Sequence, residues 1–191
     1  MHAFIISTAS VAVGELGDKT QLLSLILATR LRKPMSIIAG IFVATLLNHL
    51  AACLLGEWSS KLITPQILKW LLGLSFLAVA AWALIPDKQD EEVKTHGHYG
   101  VFVLTAVTFF LAEMGDKTQI VALALAAKYD DLLAVVAGTT LGMMIVNIPT
   151  VLCAERATKW IPVKVVRVIA AALYAVLGIV TLLGYSNVNL G

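Results

Sequence analysis

Seven residues, Glu15-Leu-Gly-Asp-Lys-Thr-Gln21, recur as Glu113-Met-Gly-Asp-Lys-Thr-Gln119, with six of the seven identical. The offset is 113 − 15 = 98, and it persists beyond the motif. It carries Ala39-Gly40 onto Ala137-Gly138 and Glu57 onto Glu155. It also pairs Arg30 with Lys128, Lys61 with Lys159, and Lys69 with Arg167. One short match can arise by chance; a single register held over half a chain does not. The chain reads as a duplicated unit.

The motifs are embedded in apolar sequence. Apolar residues make up 59% of the chain and charged residues 14%, with a mean hydropathy of +0.89. Soluble domains average about 45–50% and about 25%. Six stretches reach the roughly 20 apolar residues that a bilayer crossing needs: about 4–29, 36–56, 65–85, 100–127, 132–153 and 163–184. The expectation is an all-α membrane protein of six transmembrane helices. No positive segment precedes the first stretch, and Glu15, Asp18 and Lys19 interrupt it. It therefore reads as a retained helix rather than a signal peptide. Thr64-Pro65 and Ile161-Pro162 look like helix starts, whereas Pro86 and Gly184 look like stops. Pro149 is expected to kink the fifth helix.

The repeat divides the chain into a first three-helix unit, 1–86, a linker, 87–99, and a second three-helix unit, 100–191. The linker holds Asp87, Asp90, Glu91, Glu92, His96 and His98 and reads as a solvated, acidic cytoplasmic segment. Three is odd, so the second unit enters the membrane from the opposite side. The two units are then inverted repeats, a design of secondary transporters with sites at the repeat interface near midplane. Loop cations give the orientation. One side carries Arg30, Arg32, Lys33, Lys88, Lys94, Arg156, Lys159, Lys164 and Arg167; the other carries Lys61, Lys69 and Lys128. Both termini are expected outside the cytoplasm.

A net charge of +2 with no basic run gives no footprint for nucleic acid. Cys53 and Cys153 lack any metal-site or redox spacing and read as small core residues. The chemistry rests on the two motifs, which fall near the middle of the first and fourth stretches. On a continuous helix Glu15, Asp18 and Gln21 share one face at i, i+3 and i+6, as do Glu113, Asp116 and Gln119. Gly17 and Gly115 would let a helix or an ion approach closely. Thr20 and Thr118 can bond back to their own helices or contribute oxygen. A charge at midplane costs roughly 2.5–3.5 kcal/mol on insertion scales, so these groups must face one another.

A set of ion pairs that merely glues helices would use Glu15 with Lys19 and Glu113 with Lys117, at i, i+4. That leaves Asp18 and Asp116 without partners. The four carboxylates carry −4, and Lys19 and Lys117 carry +2, so −4 + 2 = −2 remains. One divalent cation or two protons would balance it. Oxygen ligands of this kind suit Ca²⁺, Mn²⁺ or Mg²⁺, and protons compete for carboxylates clustered in low dielectric. The expected activity is cation/proton exchange, without a prosthetic group. Candidate ligands are Glu15, Asp18, Glu113 and Asp116, with Gln21, Gln119, Asn48 and Asn147 as further oxygen donors. Lys19, Lys117, Thr20 and Thr118 serve charge balance or gating. The Asn residues can equally be interhelical hydrogen-bond donors, and His49, at the offset position of Asn147, reads as a satisfied buried histidine.

The double motif resembles the Glu-x-Gly-Asp-Lys/Arg-Thr/Ser pair of a known group. That group comprises the Golgi manganese/calcium transporters and bacterial manganese exporters, within the cation/Ca²⁺ exchanger type 2 superfamily. The match maps onto Glu15, Gly17, Asp18, Lys19 and Thr20, and onto Glu113, Gly115, Asp116, Lys117 and Thr118, without departure. The resemblance implies Mn²⁺ as cargo, Ca²⁺ as the other candidate, export from the cytoplasm, and a bacterial inner-membrane location. Two rivals remain: a passive cation channel, and an intramembrane aspartyl protease built on Asp18 and Asp116. A protease dyad shares one proton between two carboxylates and has no use for the added Glu and Lys.

Overall fold

The structure, a computed structural model, describes residues 1–62, 64–85, 100–129, 131–154 and 163–183. Pro86, the 87–99 linker, Glu155, Arg156, Lys159, Ile161-Pro162 and Gly184 lie outside the described residues.

The described chain is all helix. Eight helices follow in order: α1 (His2–Glu15), α2 (Lys19–Leu31), α3 (Pro34–Leu62), α4 (Pro65–Ala83), α5 (Val101–Glu113), α6 (Lys117–Lys128), α7 (Leu132–Leu152) and α8 (Val163–Leu183). Thr64 sits at the N-cap of α4 with Pro65 in its first turn, as the sequence suggested. At the start of α7, the Asp131 side chain accepts a hydrogen bond from the Ala134 N–H at 3.0 Å. Helix α7 runs through Pro149 and continues to Leu152. Among the described residues, α3, α7 and the Gln66–Ala83 portion of α4 are long and apolar enough to cross a bilayer.

The first and fourth apolar stretches differ from expectation. Each is two helices, not one, and the breaks fall on the motifs: α1 ends at Glu15 and α2 starts at Lys19, while α5 ends at Glu113 and α6 starts at Lys117. The physical reason is Gly17 and Gly115, which adopt φ of +77° and +73°. That left-handed conformation ends a helix, and side chains other than glycine's adopt it only with strain. A methyl group added at Gly115 would meet nothing within 4 Å. This glycine is there for its backbone rather than for close packing.

Helix starts recur at the repeat offset: Lys19 and Lys117, Pro34 and Leu132, Pro65 and Val163. Packing follows the same exchange. Helix α1 lies on α7 and α5 lies on α3; α2 also touches α7, and α6 touches α3; α4 pairs with α8. The crossings match in detail. A methyl group on Gly40 would strike the Phe102 carbonyl and the Thr105 side chain, and one on Gly138 would strike the Phe4 carbonyl and the Ser7 side chain. Adding 98 to Phe4, Ser7 and Gly40 gives Phe102, Thr105 and Gly138. Small residues let these backbones meet where lipid supplies no hydrophobic drive between helices.

Two apolar clusters flank the centre. One joins Phe76, Val79, Val121, Leu125 and Tyr174; the other joins Leu23, Leu27, Ile37, Ile41, Phe109 and Met144. The outward surface is apolar too, with Ile67, Trp70, Leu71 and Leu74 exposed on α4, and Val176 and Ile179 exposed on α8. An apolar surface of that extent on both sides of a helix pair suits hydrocarbon, not water. Of the two cysteines read as core, Cys53 is buried and its thiol donates to the Ala122 carbonyl at 3.5 Å. Cys153 is exposed at the end of α7, which corrects the expectation for that residue.

Candidate metal site at two helix breaks

The breaks bring together what a continuous helix would have kept apart. At each break the N–H of the motif Asp donates to the carbonyl of the motif Glu, Asp18 to Glu15 and Asp116 to Glu113, both at 3.1 Å. The motif glutamine completes the turn: Gln21 Oε1 accepts from the Gly17 N–H at 2.6 Å, and Gln119 Oε1 from the Gly115 N–H at 2.7 Å. The glutamine amides then reach outward, Gln21 Nε2 to Thr150 Oγ1 at 3.1 Å and Gln119 Nε2 to Asn48 Oδ1 at 3.4 Å. Gln21 and Gln119 therefore fold back on their own breaks, and their oxygens bind backbone rather than continuing a helical carboxylate face.

Asp18 and Asp116 occupy the N-caps of α2 and α6, yet neither carboxylate caps its helix. The positive ends of two helix dipoles point at this region, each worth roughly half an elementary charge. Carboxylate oxygens of Glu15, Asp18 and Asp116 lie within 4.8 Å of one another, and all three residues are buried. Glu113, also fully buried, is not one of these three; its Oε2 lies 3.7 Å from His49 Nε2.

The lysines correct the glue reading. Among the described residues, their ion pairs cross between the halves. Lys117 Nζ donates to Asp18 Oδ1 at 2.7 Å, and Lys19 Nζ lies 3.7 Å from Asp116 Oδ1. The two pairs exchange under the repeat offset, but they are not equal. Lys117 is only 4% exposed, whereas the Lys19 side chain is 31% exposed. The Thr20 hydroxyl donates to Glu15 Oε2, while that of Thr118 reaches Asp116 Oδ2 at 3.4 Å. Glu15 Oε1 and both Glu113 side-chain oxygens have no hydrogen-bond partner among the described residues.

Asn48 donates to the Phe110 carbonyl at 2.9 Å. Asn147 accepts from the Ser24 hydroxyl and donates to the Met143 carbonyl at 3.0 Å. Both asparagines therefore tie α3 and α7 to the broken helices. His49 departs from expectation: it is fully buried with neither ring nitrogen hydrogen-bonded among the described residues. The sequence reading missed Ser24 and Thr150, whose bonds join α2 to α7, and Tyr174, whose hydroxyl donates to the Ser10 carbonyl at 2.8 Å. Isolated hydroxyls in apolar helices carry no motif that would mark them.

Comparison with known proteins gives the same outline. The family described as "Divalent cation/proton antiporter GDT1" matches residues 3–91 and 101–188. A candidate manganese exporter of Vibrio cholerae serotype O1 is 47% identical over 184 residues, covering 95% of this chain and 90% of the relative. A GDT1-like protein of Synechocystis is 26% identical over 201 residues, covering 95% and 97%. No solved structure matches. The chain belongs to the divalent cation/proton antiporter GDT1 family and is an integral membrane transporter, not an enzyme.

Proposed function

We propose that this protein exports Mn²⁺ from the cytoplasm in exchange for protons, using Glu15, Asp18, Glu113 and Asp116 as one alternately metallated and protonated site. The observation that carries the reading is the convergence of three buried carboxylates from two helix breaks. Crossed lysines sharpen the charge count. Lys117 balances Asp18 and Lys19 faces Asp116, so the remaining −2 falls to Glu15 and Glu113, which together keep three oxygens without a hydrogen-bond partner among the described residues. One divalent cation, or a proton on each glutamate, balances them.

Carboxylates alone accept Ca²⁺ as readily as Mn²⁺; the Vibrio relative's description favours Mn²⁺. The exchange-related packing of α1 on α7 and α5 on α3 supports two inverted three-helix repeats with six spans, residues 1–86 and 100–191. Both termini then face the periplasm, in the bacterial inner membrane. A cavity of about 530 Å³, lined by Ala28, Thr29, Arg32 and Cys153, opens at the C-terminal ends of α2 and α7. In this orientation it lies on the cytoplasmic side. Asn48 and Asn147 hold the surrounding helices, and Gln21 and Gln119 hold the breaks.

The test is growth of a Mn²⁺-sensitive strain lacking its own exporter. The wild-type chain should restore growth in excess Mn²⁺, and Asp18→Asn and Asp116→Asn should not, at equal membrane abundance. Equal protection by the variants overturns the site.

A further inference from the structure

The two halves differ at a buried position that in one half faces the motif glutamate Glu113. The repeat offset pairs His49 on α3 with Asn147 on α7. Asn147 is satisfied on both sides of its amide, by the Ser24 hydroxyl and the Met143 carbonyl. His49 is not: it is 0% exposed, and neither ring nitrogen has a hydrogen-bond partner among the described residues. A buried polar group left unpaired costs stability, so such groups in folded proteins are few and call for an explanation. Among the described residues, the charged group that faces it is Glu113. Glu113 Oε2, itself without a hydrogen-bond partner, lies 3.7 Å from Nε2.

That separation is too long for a hydrogen bond. It does suit two donors that share an ion. Bonds of roughly 2.0–2.2 Å, the range that zinc makes to imidazole nitrogen and carboxylate oxygen, are long enough for one transition-metal ion to touch both atoms across such a gap. A neutral imidazole also leaves the charge count unchanged, with −2 still matched by one divalent ion.

We propose that His49 Nε2 is a ligand of the transported cation, bound jointly with Glu113, and that it biases the site toward a first-row transition metal over Ca²⁺. The proposal rests on the cation-site reading above. Its physical basis is ligand type: Ca²⁺ takes oxygen ligands almost exclusively, whereas imidazole nitrogen binds divalent first-row transition metals. The half that carries Asn147 offers no such nitrogen, so the site is chemically lopsided about its internal symmetry.

Pulsed electron paramagnetic resonance of the purified full chain loaded with Mn²⁺ reads the ligand directly. The wild type should show an imidazole nitrogen coupled to the Mn²⁺ electron spin, and His49→Asn should lose it. In liposomes His49→Asn should weaken Mn²⁺ transport affinity by about tenfold and leave that for Ca²⁺ within about twofold. His49→Gln, a second variant of closer size, should behave alike. No nitrogen coupling in the wild type, or parallel shifts for both ions, overturns the proposal. Asp18→Asn run alongside separates the two readings. If it transports Mn²⁺ as well as the wild type, the carboxylate site itself is wrong, whatever His49 does.

Discussion

At the scale of single residues, the crossed lysines matter most, because they make the two motifs one electrostatic unit. Lys117 and Asp18 come from different halves and meet at 2.7 Å in a buried setting. Removing one partner of such a pair leaves an uncompensated buried charge and costs about 3–5 kcal/mol. Lys19 keeps a third of its side chain exposed and stands 3.7 Å from Asp116. Such a wetter, looser pair contributes about 0–1 kcal/mol. Lys117→Ala should therefore lower the thermal unfolding midpoint in detergent by many degrees, and Lys19→Ala by little. Equal shifts would show that the halves share the load evenly, contrary to the structure.

At the scale of elements, the broken helices decide the site. A continuous helix would place Glu15, Asp18 and Gln21 in one row. The break turns Asp18 into the N-cap of a new helix and sends Gln21 back to the Gly17 N–H. Gly17→Ala or Gly115→Ala forces a Cβ into φ above +70°, at a cost of roughly 1–2 kcal/mol. Each variant should still reach the membrane and should lose most Mn²⁺ transport. Transport at the wild-type rate from both would mean that the breaks are not needed.

Part of this was legible in the sequence. Glycine followed by aspartate is the signature of one helix stopping and another starting, and it stands in both motifs. The surrounding apolar run hid it, because a bilayer crossing is read from composition over some twenty residues, which is blind to a three-residue break. The register of 98 and the candidacy of the four carboxylates needed no coordinates. The partner of each lysine did: sequence spacing offers only the neighbour one turn away, whereas the nearer carboxylate comes from the other half. His49 was misread for the same reason, since nothing along α3 announces Glu113.

At the scale of the whole molecule, export requires sidedness. Arg30, Arg32 and Lys33 flank the end of α2 where the 530 Å³ cavity opens, and Cys153 lines that cavity. Cys53, the other cysteine, is buried against α6. A membrane-impermeant maleimide should label one thiol per chain in inverted vesicles, at Cys153, and almost none in right-side-out vesicles. The reverse pattern would place the termini in the cytoplasm.

If Mn²⁺ and protons share one set of carboxylates, their fluxes are coupled, and sealed liposomes read that coupling. With the purified chain reconstituted, an imposed proton gradient should drive Mn²⁺ to accumulate against its own gradient. Moving Mn²⁺ down its gradient should in turn carry protons the other way, and Glu15→Gln together with Glu113→Gln should abolish both. Mn²⁺ flux that is indifferent to the proton gradient and follows membrane voltage alone would contradict exchange and leave a passive channel.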